Sequence, residues 1–331
     1  MHATPTIAAF RSSAEMFAPI AHDLESVERI LRQTLSSAQP GVARLIDHLA
    51  HYRGKRLRPA LLLLTAKACG GVTPAHHTLA AVVEMIHTAT LVHDDVLDEA
   101  AVRRHASTIN AQWGNQASIL LGDWLFTHAF HLTSSVDARA CRLIGEATNR
   151  LCAGELHQIC ERGNLDLSED AYFNIIDGKT AELTACCCRL GAVYAGADDR
   201  MVEQLAAYGR ALGMAFQIAD DLLDLVGEER SAGKSLGTDL EQQKVTLPII
   251  WHLTQAPAER AAWLRRLLES EDNHKREKLR LELEIHGAIA HARRRAEQFA
   301  AEASAKLACL APSPCRRILE QLADRVVHRE C

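Results

Sequence analysis

The sequence predicts an all-α protein that folds as a deep bundle of long helices. Its 331 residues are 48% hydrophobic and 24% charged, the composition of a globular protein with a large core. Helix start signals recur along the chain, and no segment combines strand alternation with hairpin-turn residues. The 18 glycines and 9 prolines form no linker. We therefore expect one helical domain over 20–331, preceded by a poorly ordered or peripheral segment at 1–19.

The predicted helices follow from capping residues. N-cap residues, some followed by proline or by acidic residues, stand at Thr73-Pro74, Ser168, Asp198-Asp199 and Ser313-Pro314. The first of these precedes a helix over 76–98, the third a helix that ends near 226, and the last a helix that ends near 327. Predicted loops lie at 70–71, 99–110, 161–167 and 227–238.

Charge and composition exclude several functions. The formal net charge is -5 without a basic block, so nucleic-acid binding has no electrostatic support. No apolar run approaches the roughly 18 residues of a membrane helix, and residues 1–20 lack the pattern of a signal peptide. We expect a cytoplasmic protein whose ten cysteines are free thiols. The run at 186–188 is interpreted as small core residues and not as a zinc or redox site.

Two aspartate clusters repeat one DDxxD pattern, at Asp94-Asp95-Val96-Leu97-Asp98 and Asp220-Asp221-Leu222-Leu223-Asp224. In a helix the first and last Asp of each cluster share one face. Two such faces brought together would repel unless a cation lay between them, and Mg²⁺ is suited to carboxylate and phosphate oxygens. Two solvated helix faces are the alternative, which the otherwise apolar helices disfavour.

Several basic residues could hold phosphate groups, and Arg103, Arg104, Lys234 and Lys244 among them follow the two clusters closely in the sequence. Arg and Lys side chains are those that hold phosphate oxygens, although each alone could be a surface charge. The candidates are Lys55, Arg58, Arg103, Arg104, Lys179, Lys234 and Lys244.

These motifs together resemble the trans-isoprenyl diphosphate synthase family, and within it the long-chain polyprenyl synthases of the octaprenyl type. The matching stretches are GKRLRP at 54–59, EMIHTATLVHDDVLDEAAVRR at 84–104, Gly122-Asp123, Lys179-Thr180-Ala181, GMAFQIADDLLD at 213–224, GKSLGTDL at 233–240 and KVTLP at 244–248. Two positions depart from the family pattern, which usually has Gly where this chain has Gln243 and Arg53. Gln restricts φ more than Gly does, so the departure at Gln243 affects the expected geometry of Lys244.

The resemblance implies a bundle of mostly antiparallel helices around a central apolar cavity, of the isoprenoid synthase type. It also implies the role of each site residue. The metal ligands are Asp94, Asp98 and Asp220, supported by Asp95, Asp221 and Asp224. The allylic diphosphate is held by Arg103, Lys179, Thr180, Gln217, Lys234 and Lys244. Isopentenyl diphosphate is held by Lys55, Arg58, His87 and Arg104. The residues taken as catalytic are Asp94, Asp98, Asp220, Lys179 and Arg103.

The implied activity is that of a prenyltransferase. Two or three Mg²⁺ ions would bridge the aspartates and the diphosphate, and isopentenyl diphosphate would be added repeatedly to an allylic primer in the all-trans configuration. An apolar tunnel would set product length, with Ala89 and Thr90 in its upper wall and Phe126 and Phe130 as a deeper floor. Ordinary core packing is the alternative for these four. The expected product is near C40, octaprenyl diphosphate for a quinone side chain, made by a homodimer that contacts membranes transiently during product release.

Four other functions are compatible with parts of this sequence. The first is a synthase of the same family with shorter or longer products. An inactive partner subunit of a heteromeric synthase is disfavoured because no motif residue is missing. A metal phosphohydrolase with His93-Asp94 as ligands, and His87, His105 or His128 as further ones, leaves the second cluster unexplained. A terpene cyclase has no need of an isopentenyl site.

Overall fold

The computed structural model describes residues 13–52, 54–227, 237–272 and 274–327, with side chains from residue 15 onward. Its α-helices are α1 Ser13–Met16, α2 Ala21–Thr34, α3 Pro40–His48, α4 Leu57–Cys69, α5 Pro74–Leu97, α6 Ile109–Trp113, α7 Asn115–Ser134, α8 Ala138–Cys160, α9 Glu169–Ile176, α10 Glu182–Tyr194, α11 Asp199–Val226, α12 Thr238–Glu241, α13 Leu247–Gln255, α14 Ala258–Glu269, α15 Lys275–Ile285, α16 Ala288–Lys306 and α17 Pro314–Val327. Short 3₁₀ segments are Ala18–Ile20, Leu49–Tyr52 and Leu307–Cys309. The predicted all-α class is confirmed.

The capping residues act where the sequence placed them. Thr73 forms a capping box with His76 at the start of α5, and Ser168 accepts a hydrogen bond from the Ala171 amide at the start of α9. Asp198 caps α11 in the same way. These side chains satisfy amide groups that have no partner inside the helix.

α11 is the centre of the bundle, because it packs against both α10 and α16. α5 packs against α7 and α4. Two large clusters of buried apolar side chains result, and partly buried Phe299 and Val327 contact both of them. A third cluster lies beneath the carboxyl-terminal half of α5 and includes Ala89 and Leu125. None of the described helices is long and apolar enough to cross a membrane.

Three features differ from the expectation. Residues 99–110 contain a pair of two-residue antiparallel strands, β1 Val102–Arg103 and β2 Ala106–Ser107, too short to show an alternating pattern. α9 continues into α10 through a π-helical segment, Asp177–Ala181. Met16 and Phe17 are buried in the main core, so the part of 1–19 that the structure describes is not peripheral. Lys234 and Arg53 lie outside the described residues.

Candidate active site

The first aspartate cluster lies at the carboxyl-terminal end of α5, where Asp98 follows the last helical residue. Burial raises the pKa of the Asp94 carboxyl to about 7, against the opposing effect of the Lys179 ammonium. Glu155 and Asp98 act in the same direction as burial, because further negative charge disfavours ionisation. Burial is the largest of these effects, so the Asp94 carboxyl lies in an enclosed site between the cations Lys179 and Arg103 and the carboxylates Glu155 and Asp98.

Asp95 is more deeply buried than Asp94 and Asp98, the other two aspartates of this cluster. Its side chain is fully buried, and it accepts hydrogen bonds from the Tyr52 hydroxyl at 2.5 Å and from Arg103 Nε at 2.7 Å. The Asn110 side-chain amide donates to the backbone carbonyl of Asp95 at 3.1 Å. Asp95 thus fixes Arg103 beside the cluster, which agrees with a supporting role.

The second cluster, near the end of α11, is arranged in a related way. Asp221 accepts hydrogen bonds from the Tyr172 hydroxyl at 2.6 Å and from Gln217 Nε2 at 2.7 Å. Burial raises the pKa of Asp221 to about 7, and the nearby Asp239 carboxylate acts in the same direction. Asp224 is also buried, and it accepts a hydrogen bond from the Asp239 backbone amide at 3.1 Å.

Lys244 connects the two clusters. Its ammonium lies 3.6 Å from an Asp98 carboxylate oxygen and 3.5 Å from an Asp239 carboxylate oxygen, and its side chain is only 10% exposed. One cavity has in its lining Gln158, Glu161, Tyr172, Asp221, Asp239 and Lys244. Lys244 lines this cavity together with Asp221 of the second cluster, and Asp98 of the first cluster lies beside the Lys244 ammonium, so the ends of α5 and α11 meet at Lys244.

The π-helical segment carries Lys179 and Thr180 into this region. Lys179 Nζ lies 2.7 Å from a Glu155 oxygen and donates to Gln158 Oε1 at 2.6 Å. Burial lowers the pKa of Lys179, but the carboxylates of Glu155 and Asp94 outweigh that effect and the net shift is upward. Lys179 is therefore a charged ammonium group facing the first cluster. π-helical turns are frequent at functional sites because they redirect side chains.

Thr180 and Gln217, both predicted to contact the allylic diphosphate, are bonded to each other. The Thr180 hydroxyl donates to Gln217 Oε1 at 2.7 Å, while the Gln217 amide nitrogen donates to Asp221. The pair therefore orients Asp221 in this structure.

A second group of cations surrounds His87 on α5. Burial, together with the guanidinium groups of Arg58 and Arg104, lowers the pKa of His87 well below its usual range. Arg58 Nε is buried and forms no hydrogen bond with any described residue. A Cβ atom on Gly54 would lie 2.7 Å from an Arg104 nitrogen, so the first basic motif packs against the end of the Arg104 side chain. Lys55 is exposed beside them.

Gln243, which precedes Lys244, adopts an unusual backbone conformation. Gln243 has φ 56°, in the left-handed region that favours glycine. With this backbone conformation before it, the Lys244 ammonium lies near carboxylate oxygens of both Asp98 and Asp239. The chain therefore accepts a backbone cost at Gln243.

The four predicted wall residues are in different environments. Ala89 is fully buried, and the Thr90 hydroxyl donates to the His87 carbonyl at 2.8 Å. Phe126 is partly buried and its ring lies 5.9 Å from that of His93. Phe130 is 39% exposed on α7, so it is a poor candidate for a floor inside the bundle.

Several residues that shape the site were not predicted. Arg162 Nη2 lies 3.6 Å from an Asp98 oxygen, and Glu155 pairs with Lys179. Tyr52 and Tyr172 hold one aspartate of each cluster. Asp239 lies within the GKSLGTDL motif at 233–240, so the sequence could have identified it as a site residue. The tyrosines stand 43 and 49 residues from their aspartates, so no local pattern identifies them.

The donor set fits a hard divalent cation. Asp221 and Asp239 line the cavity with Lys244, and Asp98 lies beside that ammonium. No imidazole or thiolate borders the cavity in the described part of the chain. Burial is the largest cause of the raised pKa of Asp94 and of Asp221, and neighbouring carboxylates act in the same direction.

The comparisons with known proteins agree with this geometry. The polyprenyl synthetase family model matches residues 39–285. The chain belongs to this family. It is 36% identical over 316 residues to octaprenyl diphosphate synthase of Escherichia coli (strain K12), covering 94% of this chain and 97% of that protein. It is 39% identical over 310 residues to nonaprenyl diphosphate synthase of Mycobacterium tuberculosis, covering 92% and 91%.

A solved structure of a polyprenyl synthase from Caulobacter crescentus CB15, complexed with calcium and isoprenyl diphosphate, superposes on this chain with a TM-score of 0.91. It is 34% identical, and the match covers 97% of this chain and 98% of that one. That relative therefore has both a divalent cation and a diphosphate bound on the same fold.

Proposed function

We propose that this chain is an all-trans long-chain polyprenyl diphosphate synthase, a prenyltransferase that adds isopentenyl diphosphate to an allylic diphosphate in the presence of Mg²⁺. The observation that carries the proposal is the position of Lys244 between Asp98 and Asp239. Lys244 lines one cavity with Asp221 of the second cluster and lies beside Asp98 of the first, while the cations around His87 form a second anion site. Two diphosphate substrates need two such sites.

Asp94, Asp98 and Asp220 would hold the Mg²⁺ ions on the allylic side. Bound Mg²⁺ would neutralise the diphosphate as it leaves. Asp95, Asp221 and Asp224 support the ligands, since their carboxylates are engaged by protein donors.

Lys179, Lys244 and Arg103 would hold the allylic diphosphate oxygens, with Arg162 as a further candidate near Asp98. These charges favour heterolysis of the allylic C–O bond, whose electron pair leaves with the diphosphate. The double bond of isopentenyl diphosphate then attacks the allylic cation and forms the new C–C bond. Loss of a proton, for which the departed diphosphate is the nearest base, restores a double bond.

Isopentenyl diphosphate would bind Arg58, His87 and Arg104, with the exposed Lys55 at the entrance. The lowered pKa of His87 keeps its imidazole neutral, so it contributes one N–H donor and no additional charge to a strongly cationic cluster. The unpartnered Arg58 Nε is available for a phosphate oxygen.

Product length near C40 would follow from the small side chain of Ala89 in the wall beside the reacting carbon. Ala89 is fully buried one turn before the first cluster. A bulky residue would close the path of the growing chain, so Ala89→Phe should shorten the products by several isoprene units. Ala290→Phe, at an exposed position on α16, is the matched control and should leave the product ladder unchanged. Unchanged products from Ala89→Phe would remove this residue from the wall.

A homodimer is also proposed. Ile119, Leu120 and Phe130 are apolar side chains exposed on α7, and burial of such a face between two chains is favourable.

The nine described cysteines are all free thiols, which supports a cytoplasmic location.

Incubation of the purified protein with labelled isopentenyl diphosphate, an allylic primer and Mg²⁺ tests the reaction. Chromatography of the dephosphorylated products beside length standards should show a ladder ending near C40, abolished by EDTA. Phosphate release without elongation would indicate a phosphohydrolase, a cyclic hydrocarbon a cyclase, and no reaction an inactive subunit. Each of those results would overturn the proposal.

A further inference from the structure

Three potential metal ligands meet away from the aspartate clusters, where α13 packs near α15. His252 lies on α13, Glu282 on α15, and His286 follows the last residue of α15. The ligand atoms that these side chains can offer all lie within 4.8 Å of one another. Glu282 and His286 are four residues apart, which places both on the same face at the end of one helix.

Three buried side-chain atoms of this group form no hydrogen bond with the described residues. His252 is 0% exposed, and neither of its ring nitrogens forms a hydrogen bond with any described residue. Glu282 is 5% exposed, and its Oε1 atom also has no hydrogen bond. Buried polar atoms in native proteins are almost always paired, because an unpaired one costs about 1–3 kcal/mol. Unpaired atoms this close to a third potential ligand therefore indicate a missing ion.

The spacing suits a small ion. Glu282 Oε1 lies 3.4 Å from His252 Nε2 and 3.4 Å from His286 Nδ1. In a tetrahedral zinc site with bonds of about 2.0–2.1 Å, neighbouring ligand atoms are separated by roughly 3.3 Å. The other Glu282 oxygen accepts a hydrogen bond from Arg260 at 2.8 Å, which turns Oε1 toward the imidazoles.

We propose that His252, Glu282 and His286 form a zinc-type metal site that joins α13 to α15, separate from the diphosphate chemistry. Two imidazoles and one carboxylate suit Zn²⁺ or Co²⁺ better than Mg²⁺, which prefers oxygen ligands. Burial lowers the pKa of His252, so its imidazole is neutral and able to coordinate. His286 Nδ1 lies 2.9 Å from the Glu282 backbone carbonyl, which it donates to. Coordination through Nδ1 would require the other tautomer, with the proton on Nε2, and would replace that hydrogen bond.

The charge of Arg260 does not prevent binding. Its side chain is 45% exposed and contacts the oxygen of Glu282 that faces away from the histidines. α13 begins directly after Thr246, which with Lys244 lines the active-site cavity. A metal bound to His252 would therefore hold α13, which follows the active-site residue Thr246, against α15.

Metal binding should be measured in a full-length protein that also carries Asp94→Asn and Asp220→Asn, so that the aspartate clusters no longer compete. After chelation and desalting, titration with Co²⁺ should produce the strong visible absorption of tetrahedral Co²⁺ at one equivalent, and Zn²⁺ should displace it. Zn²⁺ should also raise the apparent melting temperature by several degrees, because it binds only the folded state.

His286→Gln added to this background should abolish both the absorption and the zinc-dependent shift. The matched control is His274→Gln, an exposed histidine at the start of the same helix, and it should retain both. His286 is only half-buried, so its replacement should leave the fold intact, which circular dichroism checks. The inference is overturned if His286→Gln binds Co²⁺ like its parent, or if the parent shows no stoichiometric tetrahedral site. The second result would identify the three residues as a buried ionic cluster only.

Discussion

The two aspartate clusters share one sequence pattern, and the structure uses it in two ways. In both, the middle aspartate is buried and bonded to a tyrosine, Tyr52 for Asp95 and Tyr172 for Asp221. The second partner differs, because Asp95 binds the charged Arg103 whereas Asp221 binds the neutral amide of Gln217. A charged partner favours an ionised carboxylate more strongly than a neutral amide does.

The last aspartate of each cluster differs more. Asp98 lies beside the ammonium of Lys244 at the cavity. Asp224 is buried, and it accepts hydrogen bonds from the Thr238 hydroxyl and the Asp239 amide at the start of α12. Asp98 is thus a candidate ligand, and Asp224 anchors the segment that carries Asp239. The same spacing on a helix therefore does not imply the same role.

The sharpest test of this difference compares Asp98→Asn with Asp224→Asn. Asp98→Asn should lower turnover by about 10²–10³-fold, because it removes a charge that acts on the diphosphate and its metal. Asp224→Asn should instead lower the free energy of unfolding by about 1–3 kcal/mol, since it weakens buried hydrogen bonds. Steady-state assays and urea unfolding separate the two effects. Equal turnover losses with unchanged stability would show that both residues are ligands.

The pH dependence of stability gives a second test. The pKa of Asp94 is raised to about 7 in the folded protein, so the folded state binds a proton that the unfolded state has already lost. The resulting stabilisation is present below pH 4 and disappears as the pH rises through 7. Without divalent metal, the free energy of unfolding of the wild type should fall by roughly 3 kcal/mol more than that of Asp94→Asn between pH 5 and pH 8.

Asp221→Asn should reduce the same pH dependence, since burial and Asp239 raise its pKa to about 7 as well. Asp166→Asn, at an 82% exposed side chain, is the control and should behave like the wild type. Urea titrations at each pH in the presence of EDTA provide the measurement. Identical pH profiles for Asp94→Asn and the wild type would contradict the raised pKa of Asp94.

The tyrosines allow a finer comparison. Tyr172→Phe leaves Asp221 with Gln217 as its one side-chain donor. The pKa of Asp221 should therefore rise further, and kcat/KM at pH 7 should fall about 10-fold. Tyr52→Phe should have a smaller effect, because Arg103 still holds Asp95. Activity of Tyr172→Phe should recover in part at higher pH. Tyr194→Phe removes a hydrogen bond to Asp137 outside the site and should keep full activity. A larger loss from Tyr52→Phe would reverse our ranking.

The smallest effect is expected at Gln243, between α12 and Lys244. Gln243→Gly should stabilise the protein by about 1 kcal/mol, because glycine adopts the left-handed backbone without strain. Turnover should stay within about twofold of the wild type, since Lys244 is already in place. Gln39→Gly, at an exposed residue with φ -83°, should give no such gain. Destabilisation by Gln243→Gly would mean that the glutamine side chain contributes more than its backbone costs.

Much of the fold could be read from the sequence because helix signals are local. Capping residues and apolar periodicity depend on neighbours within one or two turns, and they located α5, α9, α11 and α17 correctly. The same local geometry put Asp94 and Asp98 on one face. Local sequence signals could not reveal the π-helical segment at Lys179, because no residue pattern that we recognise distinguishes it from the α-helices on either side.

What the sequence determined by itself is the helical class, the family motifs and the set of charged residues available for diphosphate and metal. Tertiary structure alone decided which aspartates accept hydrogen bonds from buried protein donors and which lie beside the ammonium of Lys244. Those choices depend on Tyr52, Tyr172 and Lys244, which reach carboxylates on other elements of the fold. Such contacts form only when helices pack, so they leave no periodic trace in the chain.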